Sequence, residues 1–122
     1  MLQRKENIII KKTEEFSDRI IRMYQYLIDS KNEKTISKQI LRSGTSIGAN
    51  IAESTFAQSR LGFISKMSIA LKEANETSFW LSRLYKGNYI NKVQFDSMNT
   101  DIDSIIKILV KIIKTSKERG NY

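Results

Sequence analysis

Apolar positions recur along this chain at intervals of three and four residues, the period of an amphipathic helix and not the alternation of a strand. Phe16, Ile20, Met23, Tyr24 and Leu27 predict a first helix over about residues 7–28, with Ile21 and Ile28 as a second line to one side. Asp29–Glu33 breaks the pattern and reads as a loop. Ile36, Ile40, Ile47 and Ile51 share one face of a second helix, about 35–55, and residues 56–60 turn the chain. Ser59 is placed to cap a third helix, about 60–86, with Phe63, Ile64, Met67, Leu71, Ala74, Ser78, Leu81 and Tyr85 inward and Gly87 with Asn88 as the stop. Asn91 and Gln94 have capping-box spacing and open a fourth helix, about 91–116. Its apolar positions, Phe95, Met98, Ile102, Ile105, Ile106, Leu109, Ile112 and Ile113, sweep an arc of roughly 200° at 100° per residue. A helix on the outside of a lone bundle needs a stripe of little more than about 100°, so the surplus predicts burial against further copies of the chain. Four long helices with short joints predict one all-α domain, an antiparallel up-and-down four-helix bundle closing into a homo-oligomer.

The second helix is unusual in its small residues. Ser43, Gly44, Ser46, Gly48, Ala49 and Ala52 lie within it. Each of two glycines inside a helix costs about 1 kcal/mol relative to alanine, a loss that close helix-on-helix approach can offset. Arg42 and Glu53, eleven residues apart, fall on one side, away from the isoleucines.

The same segment carries a resemblance. Gln39, Arg42, Ser46, Ile47, Asn50, Ile51, Ala52 and Glu53 match the pattern Gln-hydrophobic-x-Arg-x-x-x-Ser-Ile-x-x-Asn-Ile-Ala-Glu-Gly. In this the chain resembles the four-helix-bundle proteins first named for intervening sequences of 23S ribosomal RNA genes, a family that includes the accessory variability protein of diversity-generating retroelements. Ser54 stands where that pattern has its final glycine. A looser likeness runs from Phe63 through Ile69, Ala70 and Glu73 to Glu76, and the resemblance spans about residues 14–113. It implies a four-helix bundle and a pentamer. It also implies a structural role for Gln39, Arg42, Ser46, Asn50 and Glu53, with Arg42, Asn50 and Glu53 expected to orient helices or subunits through buried polar contacts. The retroelement relative acts with nucleic acid and a reverse transcriptase, so RNA or DNA and a protein of that kind are the partners it implies.

Composition narrows the function classes. The chain has 122 residues, enough for one substantial core, with no proline, cysteine or histidine. Without proline nothing forces a helix to break, and without cysteine neither disulfides nor thiolate metal sites exist. No apolar run is long enough to span a bilayer and no signal peptide is legible, so a cytoplasmic protein without a membrane partner is expected. The formal charge of +8 points to an anionic partner, nucleic acid first and a membrane surface second. From Ser104 onward five basic residues against one acidic leave half of that excess in the last nineteen positions. Lys107, Lys111, Lys114, Lys117 and Arg119 are therefore the leading phosphate-contact candidates, with Lys11 and Lys12 behind them. The same lysines also suit a solvated helix end through its dipole.

Catalytic and cofactor chemistry finds little support. The usual general base, nucleophile and commonest metal ligands are missing with histidine and cysteine. Glu53, Glu73 and Glu76 are a conceivable carboxylate cluster, but bundle metal sites also draw on Glu-x-x-His pairs that cannot exist here. Pairing of Glu53 with Arg42 of a neighbouring copy, or capping of a polar layer by Glu53, is the simpler expectation, and Asn75-Glu76-Thr77 falls mid-helix, where a glycosylation acceptor is out of place. Phe79, Trp80, Tyr85, Tyr24 and Tyr26 could stack on bases, though rings at helical spacing more often fill cores. The expectation is a non-enzymatic protein without cofactors that binds nucleic acid; the competing reading is a scaffold for a protein partner, with the lysines serving solubility.

Overall fold

A computed structural model describes residues 4–119, with side chains from residue 7, as four helices: α1 (Arg4–Lys31), α2 (Ile36–Ser54), α3 (Arg60–Lys86) and α4 (Lys92–Arg119). Each packs on its sequence neighbours, α4 returns to α1, and neither diagonal pair meets. The antiparallel four-helix bundle expected from the periodicity is therefore the architecture. The end that carries the α2–α3 turn also carries the start of α1 and the end of α4.

The joints differ from expectation in instructive ways. α1 runs on to Lys31, so Asp29, Ser30 and Lys31 are helical. Nothing in those polar side chains breaks a helix. The turn comes at Asn32, whose φ of 53° is left-handed, and the Glu33 amide then donates to the Leu27 carbonyl at 2.9 Å. Glu33 is itself buried and accepts from the Ser37 amide at 2.8 Å and the Thr35 amide at 3.3 Å, satisfying the start of α2. α3 opens as expected, with Ser59 Oγ accepting from the Gly62 amide at 3.0 Å. At its other end the left-handed residue is Asn88, with φ 64°, while Gly87 stays at −82°. The Tyr89 amide reaches the Leu84 carbonyl and the Asn88 amide that of Tyr85, a Schellman pair centred on the asparagine. The Asn91–Gln94 capping box forms in both directions at 2.8 Å. α4 then runs three residues past the expected end.

The core is a single column of side chains from all four helices, including Ile9, Phe16, Ile20 and Leu27 of α1, Ile40, Ile47 and Ile51 of α2, Met67, Leu81 and Leu84 of α3, and Ile102, Ile105 and Leu109 of α4. The inward stripe of α3 is rotated from expectation. Ala70, Glu73, Thr77 and Leu84 are buried, whereas Leu71, Ser78 and Tyr85 are half-buried, because α3 must face α2 as well as α4. The wide apolar arc of α4 is mostly consumed inside the chain. Phe95, Ile106 and Ile108 pack against the core at its flanks, and Val110 and Val93 are the large apolar residues α4 leaves exposed.

The small residues of α2 work within the chain. A methyl group on Gly44 would sit 2.7–2.9 Å from three carbons of Ile20, and one on Gly48 would meet Ser17 Oγ at 3.2 Å and the Thr13 carbonyl oxygen at 3.4 Å. On the α3 side, the Thr77 hydroxyl donates to the Glu73 carbonyl at 2.8 Å and shares a hydrogen bond with buried Ser43 Oγ at 2.9 Å. Ala49 and Ala52 are exposed. The seam between α1 and α4 is tied by Arg19, which donates to Asp101 at 2.5 Å and to Ser97 Oγ at 2.7 Å.

The Gly44 contact predicts an inverted propensity effect. Alanine there gains up to about 1 kcal/mol of helix propensity but overpacks a fully buried isoleucine, a loss of about 1–3 kcal/mol. Gly44→Ala should therefore unfold at a lower urea concentration by about 1 kcal/mol. Adding Ile20→Val should lose less than the two separate changes combined.

Candidate functional site

Two polar faces stand out, one bordering α2 and α3 and one along α4. Gln39, Arg42, Ser46, Asn50 and Glu53 recur at three- and four-residue steps and line the flank of α2 that borders α3. Arg42 donates to Glu73 Oε2 at 3.0 Å and to Glu76. Lys66 donates to Glu53 Oε1 at 2.6 Å. The Ser46 hydroxyl donates to the Arg42 carbonyl at 2.6 Å, and Asn50 Nδ2 to the Ser46 carbonyl at 2.9 Å. These contacts correct two expectations. Arg42 and Glu53 take partners on α3 of their own chain, so a pairing between neighbouring copies is not needed to satisfy them. Nor are they buried: Arg42 and Glu53 are exposed and Asn50 is half-buried.

The carboxylates divide between separate cations, and among the described residues no group of three could hold a metal ion. Glu73 is the unusual member, with a side chain only 11% exposed, and Arg42 is the cation that compensates it. A hydrogen bond from Trp80 Nε1 at 3.0 Å, followed by the Arg42 contact, holds the Glu76 carboxyl below its ordinary range. The hydrogen bond to Glu76 likewise raises the Arg42 guanidinium. Sequence reasoning singled out Arg42, Glu73 and Glu76 but not their mutual contact, because spacing along one helix is silent about which residue faces it from another.

The aromatic residues do not form one cluster. Phe79 and Trp80 meet edge to face with centroids 5.0 Å apart, whereas Tyr85 stacks on Phe95 of α4 at 4.7 Å. Trp80 is half-buried against Glu76, while Phe79 remains 54% exposed beneath the Arg83 guanidinium. Tyr24 and Tyr26 are half-buried on α1.

The basic candidates are placed unevenly. Lys107, Lys111 and Lys114 recur at i, i+4 and i+7 on the outward face of α4, all exposed and in no ion pair with another described residue. Lys117 is exposed one step round the helix towards α3, and Arg119 is half-buried at its last turn. Lys12 is half-buried and Lys11 exposed on α1, level with Lys107 in the register that Arg19 sets against Ser97 and Asp101. Lys11 shares its surface with Glu14, Glu15 and Asp18, so the basic field thins out on that helix. Among the described residues no helix is long and apolar enough to cross a membrane.

Residues 5–111 match the family described as 23S rRNA-intervening sequence protein. The chain belongs to that family. A crystal structure of a protein of unknown function from the S23 ribosomal protein family of Bacteroides thetaiotaomicron is 52% identical, covers 90% of this chain and 98% of its own, and superposes with a TM-score of 0.89. No curated protein matches the sequence. In this member of the 23S rRNA-intervening sequence family, the family-like residues of α2 thus form a surface seam to α3.

Removing the seam's cation should be felt through Glu73. Arg42→Met leaves a nearly buried carboxylate without its partner, a loss of about 2 kcal/mol at neutral pH. The sign with pH follows from Glu76, whose folded-state pKa lies below its ordinary value of 4.5. Its contribution is complete above that value and is lost as pH falls through the folded pKa. The stability gap between wild type and Arg42→Met, followed by urea unfolding from pH 7 to pH 3, should narrow below about pH 4.5.

Proposed function

We propose that this protein is a cytoplasmic, non-enzymatic accessory protein that binds nucleic acid through phosphate contacts and works as a closed homo-oligomer. The observation that carries the reading is the outward row Lys107, Lys111 and Lys114, unpaired within the described chain and continued by Lys117. A row of this kind supplies charge without base-reading geometry, so the binding it supports is weakly sequence-specific and strongly salt-dependent. The absence of histidine and cysteine favours a binding role over catalysis. The pentameric number rests on family likeness, and so does a partner such as a reverse transcriptase.

Assembly multiplies the +8 charge of one chain into a larger field. It also offers a use for apolar residues that the single chain leaves open, Ile69 and Phe79 on α3 and Val110 on α4. Those same residues favour the second reading, a ring that scaffolds a protein partner without touching nucleic acid.

Anisotropy titrations with labelled RNA and DNA over a salt series separate the two. Three phosphate contacts predict an affinity loss of about 40-fold between 50 and 200 mM salt on duplex. Reversing Lys107, Lys111 and Lys114 to glutamate should weaken binding at least tenfold at the low-salt end and flatten the slope. Absence of binding at 50 mM salt would leave the scaffold as the better account. Light scattering should report a mass near five times 14.2 kDa; a monomer at micromolar concentration removes the ring.

A further inference from the structure

Two of the most exposed large apolar side chains lie together in sequence at the α2–α3 turn. Phe56 is 85% exposed and Leu61 80%, flanking Arg60, the first residue of α3. The turn is held by its own backbone, the Phe56 amide donating to the Glu53 carbonyl at 3.1 Å and the Ala57 amide to the Ser54 carbonyl at 3.2 Å. Phe56 is thus presented outward from a fixed frame and contributes nothing to the core.

The topology brings this turn to a basic neighbourhood. α3 and α4 run antiparallel in a register fixed by Tyr85 stacked on Phe95 and by Leu71 sharing a groove with Lys114. That register sets Arg60 and Leu61 level with the last turn of α4. Arg60 lies eleven residues, about three turns, before Leu71, hence on the same side of α3 and about 16 Å nearer the turn. The groove holds about 350 Å³; Leu71, Val110 and Ile113 form its apolar floor, with Lys114, Lys117 and one acid, Glu118, along its α4 side. The groove's cations run along α4 towards the end of the bundle that also carries the α2–α3 turn, Arg60 and the exposed ring of Phe56.

We infer that this end of the bundle seats single-stranded nucleic acid, with Phe56 stacking on an unpaired base while Arg60, Lys117 and, further along the strand, Lys114 hold phosphates; the inference rests on the nucleic-acid reading above. Charge decides the occupant. Arg60, Lys114 and Lys117 outnumber the single acid Glu118, a surplus to which a polyanion is complementary. An exposed ring adds binding energy only where a base face is free, which a duplex does not offer along its length.

The test compares the full chain with a labelled oligonucleotide of about twelve uridines and with an RNA duplex of the same length, by anisotropy at 50 mM salt. Phe56→Ala should weaken single-strand binding about tenfold and change duplex binding less than about twofold, while Phe56→Trp preserves both. The ring lies outside the core, so circular dichroism and the urea midpoint should be unchanged. Equal loss on both nucleic acids, or no loss on either, would overturn the seat and leave phosphate binding standing. A Phe56→Ala chain of altered subunit number by sedimentation would also overturn it, making the turn a subunit contact. Failure of the wild type to bind either probe would remove both this inference and the reading beneath it.

Discussion

The closeness of α1 to α2 is the constraint on which the rest of this bundle depends. At Gly44 the two helices are so near that Ile20 occupies the space a side chain would need, and at Gly48 the backbone of α1 borders that space. This proximity lets Ile40, Ile47 and Ile51 enter one column with Phe16, Ile20 and Leu27. It also fixes the rotation of α2. With the glycines turned to α1 and Ser43 turned to Thr77, the remaining flank can only point outward over α3, and that flank carries Arg42, Asn50 and Glu53. The polar seam is thus a consequence of how the glycines are spent.

The seam combines two energetic regimes. Lys66 and Glu53 are both open to water, where an ion pair contributes little. Arg42 and Glu73 are different, because the carboxylate is nearly enclosed and its desolvation must be offset by a cation. Glu76 adds a second anion to the same guanidinium and is steadied by the Trp80 indole. One arginine therefore ties two turns of α3 to α2, and the tryptophan is held half-buried at the rim.

Much of the fold could be read from the chain because helical periodicity and end signals are local. The Asn91–Gln94 box and the Ser59 cap formed as their spacing required. Where reading failed, the deciding term was tertiary. Asp29–Lys31 looked like a loop by polarity, yet only the left-handed Asn32 ends α1. Gly87 and Asn88 do end α3, but it is the asparagine and not the glycine that takes the left-handed geometry. The breadth of α4's apolar arc was visible, but its burial by α1 and α3 was not. Lys107, Lys111 and Lys114 were legible as a row by spacing alone. Glu73 as the partner of Arg42, and Phe56 as an exposed ring, were not, since residues on different helices and in aperiodic turns leave no periodic trace.

The circuit of helix contacts has a bearing on the order of assembly. Three of the four interfaces join consecutive helices through short turns, so each closes only a short stretch of chain. The fourth, between α1 and α4, must close nearly the whole polypeptide at once, and the entropy of that closure falls on one seam. A bundle so wired is of low contact order apart from this seam, which is therefore expected to close last. Arg19, reaching from α1 to Ser97 and Asp101, then acts as a late latch. The same logic makes the α1–α4 seam the one expected to open first in native fluctuations, uncovering the α1 and α4 sides of the apolar column.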